Sequence, residues 1–246
     1  MIKGIYTTGS GMLPQMLRIE IIGNNLANMN TVGFKKDQLF TEILKKEQKS
    51  LASTNGVQGL PTIESIDFSE GSFQQTGNTL DFAISGDGFF TIETPQGIRY
   101  TRNGSFTLSL DGTLVTKEGY PVLGTEGKIQ LPDIQKLSQG DINVNETGEI
   151  TIDKRQFGKF QLAAFDDMTV LKKDGSTNFR VEDGTKVRLA SESNYKLHQG
   201  FLEESNVEGL DEMVVMIELS RNFESGQKSM QAQDETIERL LDLGRV

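Results

Sequence analysis

The sequence predicts an α+β fold: an antiparallel β-rich central domain flanked by long N- and C-terminal helices. Three observations predict it. Apolar or small residues recur at alternating steps of three and four near both ends. Turn dipeptides recur through the middle, separated by short runs rich in β-branched and aromatic residues. Across 246 residues there are 26 Gly and only 5 Pro, a balance that suits a turn-rich sheet.

The N-terminal helix is read from Ile5, Gly9, Met12, Met16, Ile19, Gly23 and Leu26, which form a heptad seam. Pro14 falls inside the pattern and predicts a kink or a nearby boundary. Asn, Thr and Gly cluster from Asn28 to Gly33 and end the helix. A second, weaker helix is read from about Lys36 to Lys49.

The β region spans roughly residues 56–200. Turn signals fall at Gly77-Asn78, Asp87-Gly88, Asn103-Gly104, Asp111-Gly112, Glu118-Gly119, Asp174-Gly175 and Asp183-Gly184. Strands are expected at Phe89–Ile92, Ile98–Thr101, Phe106–Leu110 and Thr113–Thr116. The last two read as a hairpin closed by a type I′ turn at Asp111-Gly112.

The C-terminal helix follows, with Ser205 or Asn206 as its cap. Its seam is read as Met213, Met216, Ser220, Phe223, Gln227, Met230, Asp234, Ile237 and Leu241. The boundaries are a helix in 1–35, a connecting segment 36–75, the β domain 76–200 and a helix in 201–246.

A β domain needs neither helix to close its core, so the ends pack on each other or on other copies. Residues 1–50 carry seven basic and four acidic groups, net +3; residues 205–246 carry four and nine, net −5. Opposite signs bias that pairing, but exposed ion pairs contribute only about 0–1 kcal/mol each, so the apolar seams supply most of the affinity. The candidate interface is Met12, Met16, Ile19, Leu26, Met213, Met216, Phe223, Met230, Ile237 and Leu241.

Several functions are excluded or unsupported. With no Cys there are no disulfides or thiolate metal sites. A net charge of −10 disfavours nucleic-acid binding. No apolar run reaches the roughly 18 residues of a membrane span, so no membrane insertion is expected. No secretory signal peptide is read, since Gly9, Ser10, Gly11, Pro14, Gln15, Arg18 and Glu20 break any apolar core. His198 is the only His and lies in no nucleophile motif. Ser193-Asn194-Tyr195-Lys196 lacks the companion elements of a serine–lysine enzyme, and Gly86-Asp87-Gly88 lacks the later carboxylates of a calcium loop. No catalytic, cofactor-binding or metal residue is assigned.

Four blocks then stand out. Asn24-Asn25-Leu26-Ala27-Asn28-Met29-Asn30-Thr31-Val32-Gly33-Phe34-Lys35 resembles the N-terminal signature of flagellar rod and hook proteins. Thr76–Phe90 and Tyr100–Phe106 resemble the blocks that follow in that family. Gln199–Val207, with Glu212-Met213-Val214 and Met216-Ile217, resembles its final helix. Gly119–Gly124, Ile129–Pro132, Gly158–Phe160 and Phe165-Asp166 resemble most the proximal-rod type, lettered F, and next the distal-rod type, lettered G.

The resemblance implies a structural, non-enzymatic subunit whose terminal helices form an inner coiled-coil tube inside a β layer. It implies export from the cytoplasm by the flagellar type III apparatus without a cleaved signal, then polymerisation in the periplasmic rod. The implied partners are other copies, neighbouring rod and hook proteins, and that apparatus. It also implies terminal helices that stay disordered until assembly. Within the motif, Asn24, Asn25 and Asn28 are expected to bond backbone groups at the helix end, Gly33 to take positive φ, and Phe34 to pack on the C-terminal helix. A plain helix terminus without an interface role accounts for the same block. A soluble β-rich binding or adhesin-like module on a helical stalk, or a hydrolase on a β scaffold, accounts for the same overall pattern.

Overall fold

A computed structural model describes residues 2–41, 62–131, 142–152, 155–181, 187–191 and 193–243. The chain divides into two compact units. One comprises 1–27, 37–67 and 208–246; the other comprises 28–36 and 68–207.

The first unit holds the two long helices, α1 (Ile2–Ala27) and α2 (Gly209–Leu243). They run antiparallel. A Cβ at Gly23 would lie 4.0 Å from Met216 Cε, and one at Gly226 would lie 3.3 Å from Met12 Sδ. Rising position on one helix therefore meets falling position on the other. The two terminal helices thus pack on each other within one chain, one of the two pairings expected from the sequence. α1 continues through Pro14, which lacks an amide proton for the ladder. Packing along the rest of the helix outweighs that one missing bond.

Asp37–Thr41 pairs antiparallel with Thr62–Ile66. This corrects the helix expected from Lys36; the remainder of that expectation, beyond residue 41, lies outside the described residues. The physical cause is local. The Asn25 side chain donates to the Asp37 carbonyl (2.9 Å) and accepts from the Asp37 amide (2.9 Å). Both backbone groups of Asp37 are thereby held as in a ladder, leaving them unavailable to a helix start.

The second unit is antiparallel β throughout its main sheet. Its six strands are ordered Leu171–Lys173, Asn178–Val181, Gly97–Thr101, Phe89–Thr94, Leu162–Ala164 and Arg188–Leu189. Smaller sheets join it: Ile142–Val144 with Glu149–Ile152 and Arg155–Lys159, Phe82–Gly86 with Tyr195–Gln199, and Phe73–Gln75 with Phe201–Glu203.

Alternation along one strand packs both faces of the main sheet. Phe90 meets Phe106 edge-on at 5.0 Å and Phe160 at 5.7 Å. Its neighbour Phe89 meets Phe68, Phe165 and Phe179 on the other side. The larger core continues from Phe90 through Phe82, Ile84, Ile92, Leu114, Val122 and Leu197.

Phe106–Leu108 and Leu114–Thr116 pair as expected. The turn itself sits one residue earlier than read. Gly112 donates to the Ser109 carbonyl, so Leu110 and Asp111 are the central residues, and Gly112 follows with φ +84°. A three-residue connection of this kind needs left-handed backbone only at its last residue. The Asp183-Gly184 turn lies outside the described residues.

Residues 28–36 and 68–75 go with the β unit, and 201–207 with it too, since Phe201–Glu203 is a strand. Asn206 does not cap α2; its amide bonds Lys36 and Ser69. The first helical bond instead runs from the Glu212 amide to the Glu208 carbonyl.

Close backbone packing gives a direct test. A Cβ at Gly104 would sit 1.8 Å from the Phe82 carbonyl oxygen, whereas one at Gly119 (φ +88°) meets nothing within 4 Å. Gly119→Ala should cost about 1–2 kcal/mol, the penalty of left-handed backbone for an L-residue. Gly104→Ala should cost more, because a core strand must shift. Urea denaturation of both variants checks the order.

Candidate assembly interface

On α2 the side chains of Gly209, Glu212, Met216, Leu219, Phe223, Gly226, Met230, Gln233 and Ile237 are buried or half-buried, at steps alternating three and four. Among the described side chains of this helix, only Val215 and Ser220 outside that series are not exposed. Met216, Phe223, Met230 and Ile237, expected on the seam, are half-buried. The intervening positions were read one residue late: Glu212, Leu219, Gly226 and Gln233 face inward in place of Met213, Ser220, Gln227 and Asp234. Three of those four true positions are not apolar, which is why periodicity pointed to their neighbours. Leu219 was legible, standing three after Met216 and four before Phe223. The side chain of Leu241 lies outside the described residues.

On α1 the inward series is Met12, Gln15, Ile19, Ile22 and Leu26. Met12 is buried, Ile19 and Leu26 half-buried, and Met16 is 62% exposed. Gln15, Glu212, Gly226 and Gln233 in the seams make this a thin interface, with little apolar surface per turn.

A second apolar stripe lies on the outside of α2. Leu210, Met213, Val214 and Ile217 are 80%, 41%, 65% and 55% exposed. Steps of three and four put them on one face over two turns. Leu13 and Met16 are similarly exposed on α1. Met213 therefore belongs to the outer stripe, not to the seam between the two helices.

The motif residues have specific jobs. Asn25, 1% exposed, holds Asp37 as described. Asn28 accepts at its carbonyl from the Thr31 amide, and Thr31 Oγ1 donates to its side chain. Ala27 is the last residue of α1, and Asn24 is exposed. Gly33 has φ +70°, and a Cβ there would lie 2.4 Å from the Asn103 amide nitrogen. Phe34 belongs to the β unit, with Lys173 Nζ 3.9 Å from its ring centre.

Beside it lies a feature that sequence reasoning missed. Lys35 and Glu203 are both fully buried and Arg102 is 3% exposed. Lys35 Nζ donates to Glu203 Oε1 at 2.5 Å and to the Ser69 carbonyl at 2.6 Å. Arg102 Nη1 donates to the other carboxylate oxygen at 3.4 Å and to the Ile84 carbonyl at 3.1 Å; Nη2 reaches the Gly86 carbonyl at 2.7 Å. The Arg102 guanidinium lies 5.0 Å from the centre of the Phe89 ring. Burial pulls the Lys35 ammonium below its ordinary pKa, and the Glu203 carboxylate opposes that shift. The only advance signal was Lys35 at the end of the motif; its partners lie at separations of 67 and 168 residues, beyond any local pattern.

Among the described residues no group of three or more His, Asp or Glu is placed to hold a metal, and no helix is long and apolar enough to cross a membrane. His198 sits on the strand Tyr195–Gln199 with its ring near Phe73 and Phe201.

The ion cluster predicts unequal substitutions. Glu203→Gln leaves two buried cations without a counter-charge and should cost about 3–5 kcal/mol. Lys35→Met leaves a balanced Arg102–Glu203 pair and should cost less, about 1–3 kcal/mol for the lost hydrogen bonds. Chemical denaturation monitored by near-ultraviolet circular dichroism checks the ranking.

Comparison with known proteins matches this architecture. Residues 5–35 match the flagella basal body rod protein family, 83–152 the flagellar hook protein FlgE/F/G D1 domain, and 198–243 the flagellar basal body rod FlgEFG protein C-terminal family. The chain is 37% identical to the flagellar basal-body rod protein FlgG of Bacillus subtilis over the full length of both. It is 33% identical to the flagellar basal-body rod protein FlgF of Caulobacter vibrioides, over 93% of this chain and 92% of that one. It is 30% identical to the flagellar hook-basal body complex protein FlhO of Bacillus subtilis, again over both full lengths. Relatives of both lettered types match at similar levels, so the expected preference for the F type gains no support. Neither the adhesin-like module nor the hydrolase gains any either. This chain belongs to the flagellar basal-body rod proteins of the F/G type, a structural family and not an enzymatic one.

Proposed function

We propose that this chain is a structural subunit of the flagellar basal-body rod, polymerising through its terminal helices to transmit torque from motor to hook. The observation that carries this reading is the outer stripe of α2, where Leu210, Met213, Val214 and Ile217 stay exposed after the two helices have paired. Exposed apolar side chains at helical spacing on a surface already using its other face mark a docking surface. Other copies of the chain and neighbouring rod and hook proteins are the occupants that family membership supports.

Contacts of this kind need no symmetry axis between the two partners. Repeated without closing, they give a helical filament, and buried seams then resist twisting by packing alone. In this reading the helices build an inner coiled-coil layer. Met12, Met216, Phe223, Met230 and Ile237 hold the pair together, and Met16 and Met213 meet neighbours. Subunits reach the periplasmic rod through the flagellar type III export apparatus, without a cleaved signal.

Val214→Glu and Ile217→Glu place charge on the stripe without touching the intrachain seam. Each should leave the monomer's circular dichroism and melting temperature nearly unchanged, since exposed substitutions usually act within about 0.5 kcal/mol. Each should also abolish incorporation into purified basal bodies and motility in a host lacking its own copy. Normal incorporation of both variants would remove the stripe from the interface.

A further inference from the structure

The chain passes between its two units four times: at Ala27/Asn28, Lys36/Asp37, Asp67/Phe68 and Val207/Glu208. Three of these passages are tied together, within the β unit, by side chains that flank them. Asn206 Oδ1 accepts from the Lys36 amide at 2.8 Å. Its Nδ2 donates to the Ser69 carbonyl at 3.2 Å and to Ser69 Oγ at 3.0 Å. Lys35 Nζ reaches the same Ser69 carbonyl and the buried Glu203 carboxylate. The Glu203 carboxylate also accepts from the Gly71 amide at 3.2 Å, while its backbone carbonyl accepts from the Gly33 amide at 2.8 Å. Arg102 then anchors Glu203 to Ile84 and Gly86, beside the core.

We propose that Asn206 and the Lys35–Glu203–Arg102 cluster form a mechanical clamp, which takes force applied at the helix ends of the β unit and spreads it over three chain segments at once. A single covalent passage would load one strand and peel it from its sheet, breaking hydrogen bonds one after another. Segments 33–36, 69–71 and 203–206 are cross-bonded, so a pull on any one loads all three together. The clamp's charges are desolvated, so salt screens it little. It acts on the β unit alone; its use in carrying torque rests on the structural reading above.

The absence of Cys makes the test clean, because handles can be placed at will. Full-length protein carrying Ala27→Cys and Glu208→Cys would be pulled in optical tweezers, with and without Asn206→Ala. A second pair of handles, Leu110→Cys and Ser176→Cys, loads the β unit elsewhere through exposed positions. At fixed load, Asn206→Ala should speed unfolding about tenfold with the first handles, the factor for roughly 1.4 kcal/mol of lost barrier. It should leave the second geometry nearly unchanged. Equal acceleration in both geometries would reduce Asn206 to an ordinary stabilising residue and overturn the clamp, as would no change in the first. If Asn206→Ala fails to fold, Asn206→Asp keeps the acceptor for Lys36 and loses the donor to the Ser69 carbonyl, leaving Ser69 Oγ able to donate to the new carboxylate, and the same comparison decides. None of these outcomes depends on polymerisation, so a monomer that fails to assemble leaves the result intact.

Discussion

The β unit depends on one buried carboxylate. Glu203 is fully enclosed and is shared by Lys35, which ends the N-terminal motif, and Arg102, which lies between core strands. An isolated carboxylate there would cost several kcal/mol, and two cations without it would cost more. Charge balance therefore forces residues 33–35, 102 and 203 to one place, although they stand far apart in the sequence. Gly33, two residues before Lys35, takes positive φ and comes close to Asn103, so the turn stands beside the cluster that Lys35 joins.

The helix pair is built differently. Its seam alternates apolar residues with Gly, Gln and Glu, so each turn buries little apolar surface. A thin seam inside the chain and an uncovered apolar stripe outside it belong together. The helices pair along that seam, and the larger apolar side chains of α2's first turns stay exposed. A stalk for a solitary binding module would bury those residues or replace them with polar ones.

The sequence made the strands, their turns and both long helices legible, because each depends on local pattern. Phe89 to Thr94, Gly97 to Thr101 and the Asp111-Gly112 turn fell within a residue or two of their places. The motif glycine at 33 was legible for the same reason. Each helical seam departs from the expected one by a residue at some positions, where Glu212, Gly226, Gln233 and Gln15 face inward against their chemical type. The strand at Asp37–Thr41 was misread as helix, because the Asn25 amide that holds it extended acts across twelve residues. The Lys35–Glu203–Arg102 cluster was invisible, as any buried ion pair is when its members come from different ends of a chain.

On the proposed reading, the outer face of α2 meets other subunits in the rod. A photoreactive benzoyl-phenylalanine placed at Ile217 tests it most directly, because it captures any chain that lies against it. Irradiating purified basal bodies should give covalent species heavier than the 27.2 kDa chain, while dilute monomer should give none. Basal bodies that contain the substituted chain yet yield only the uncross-linked monomer would contradict it.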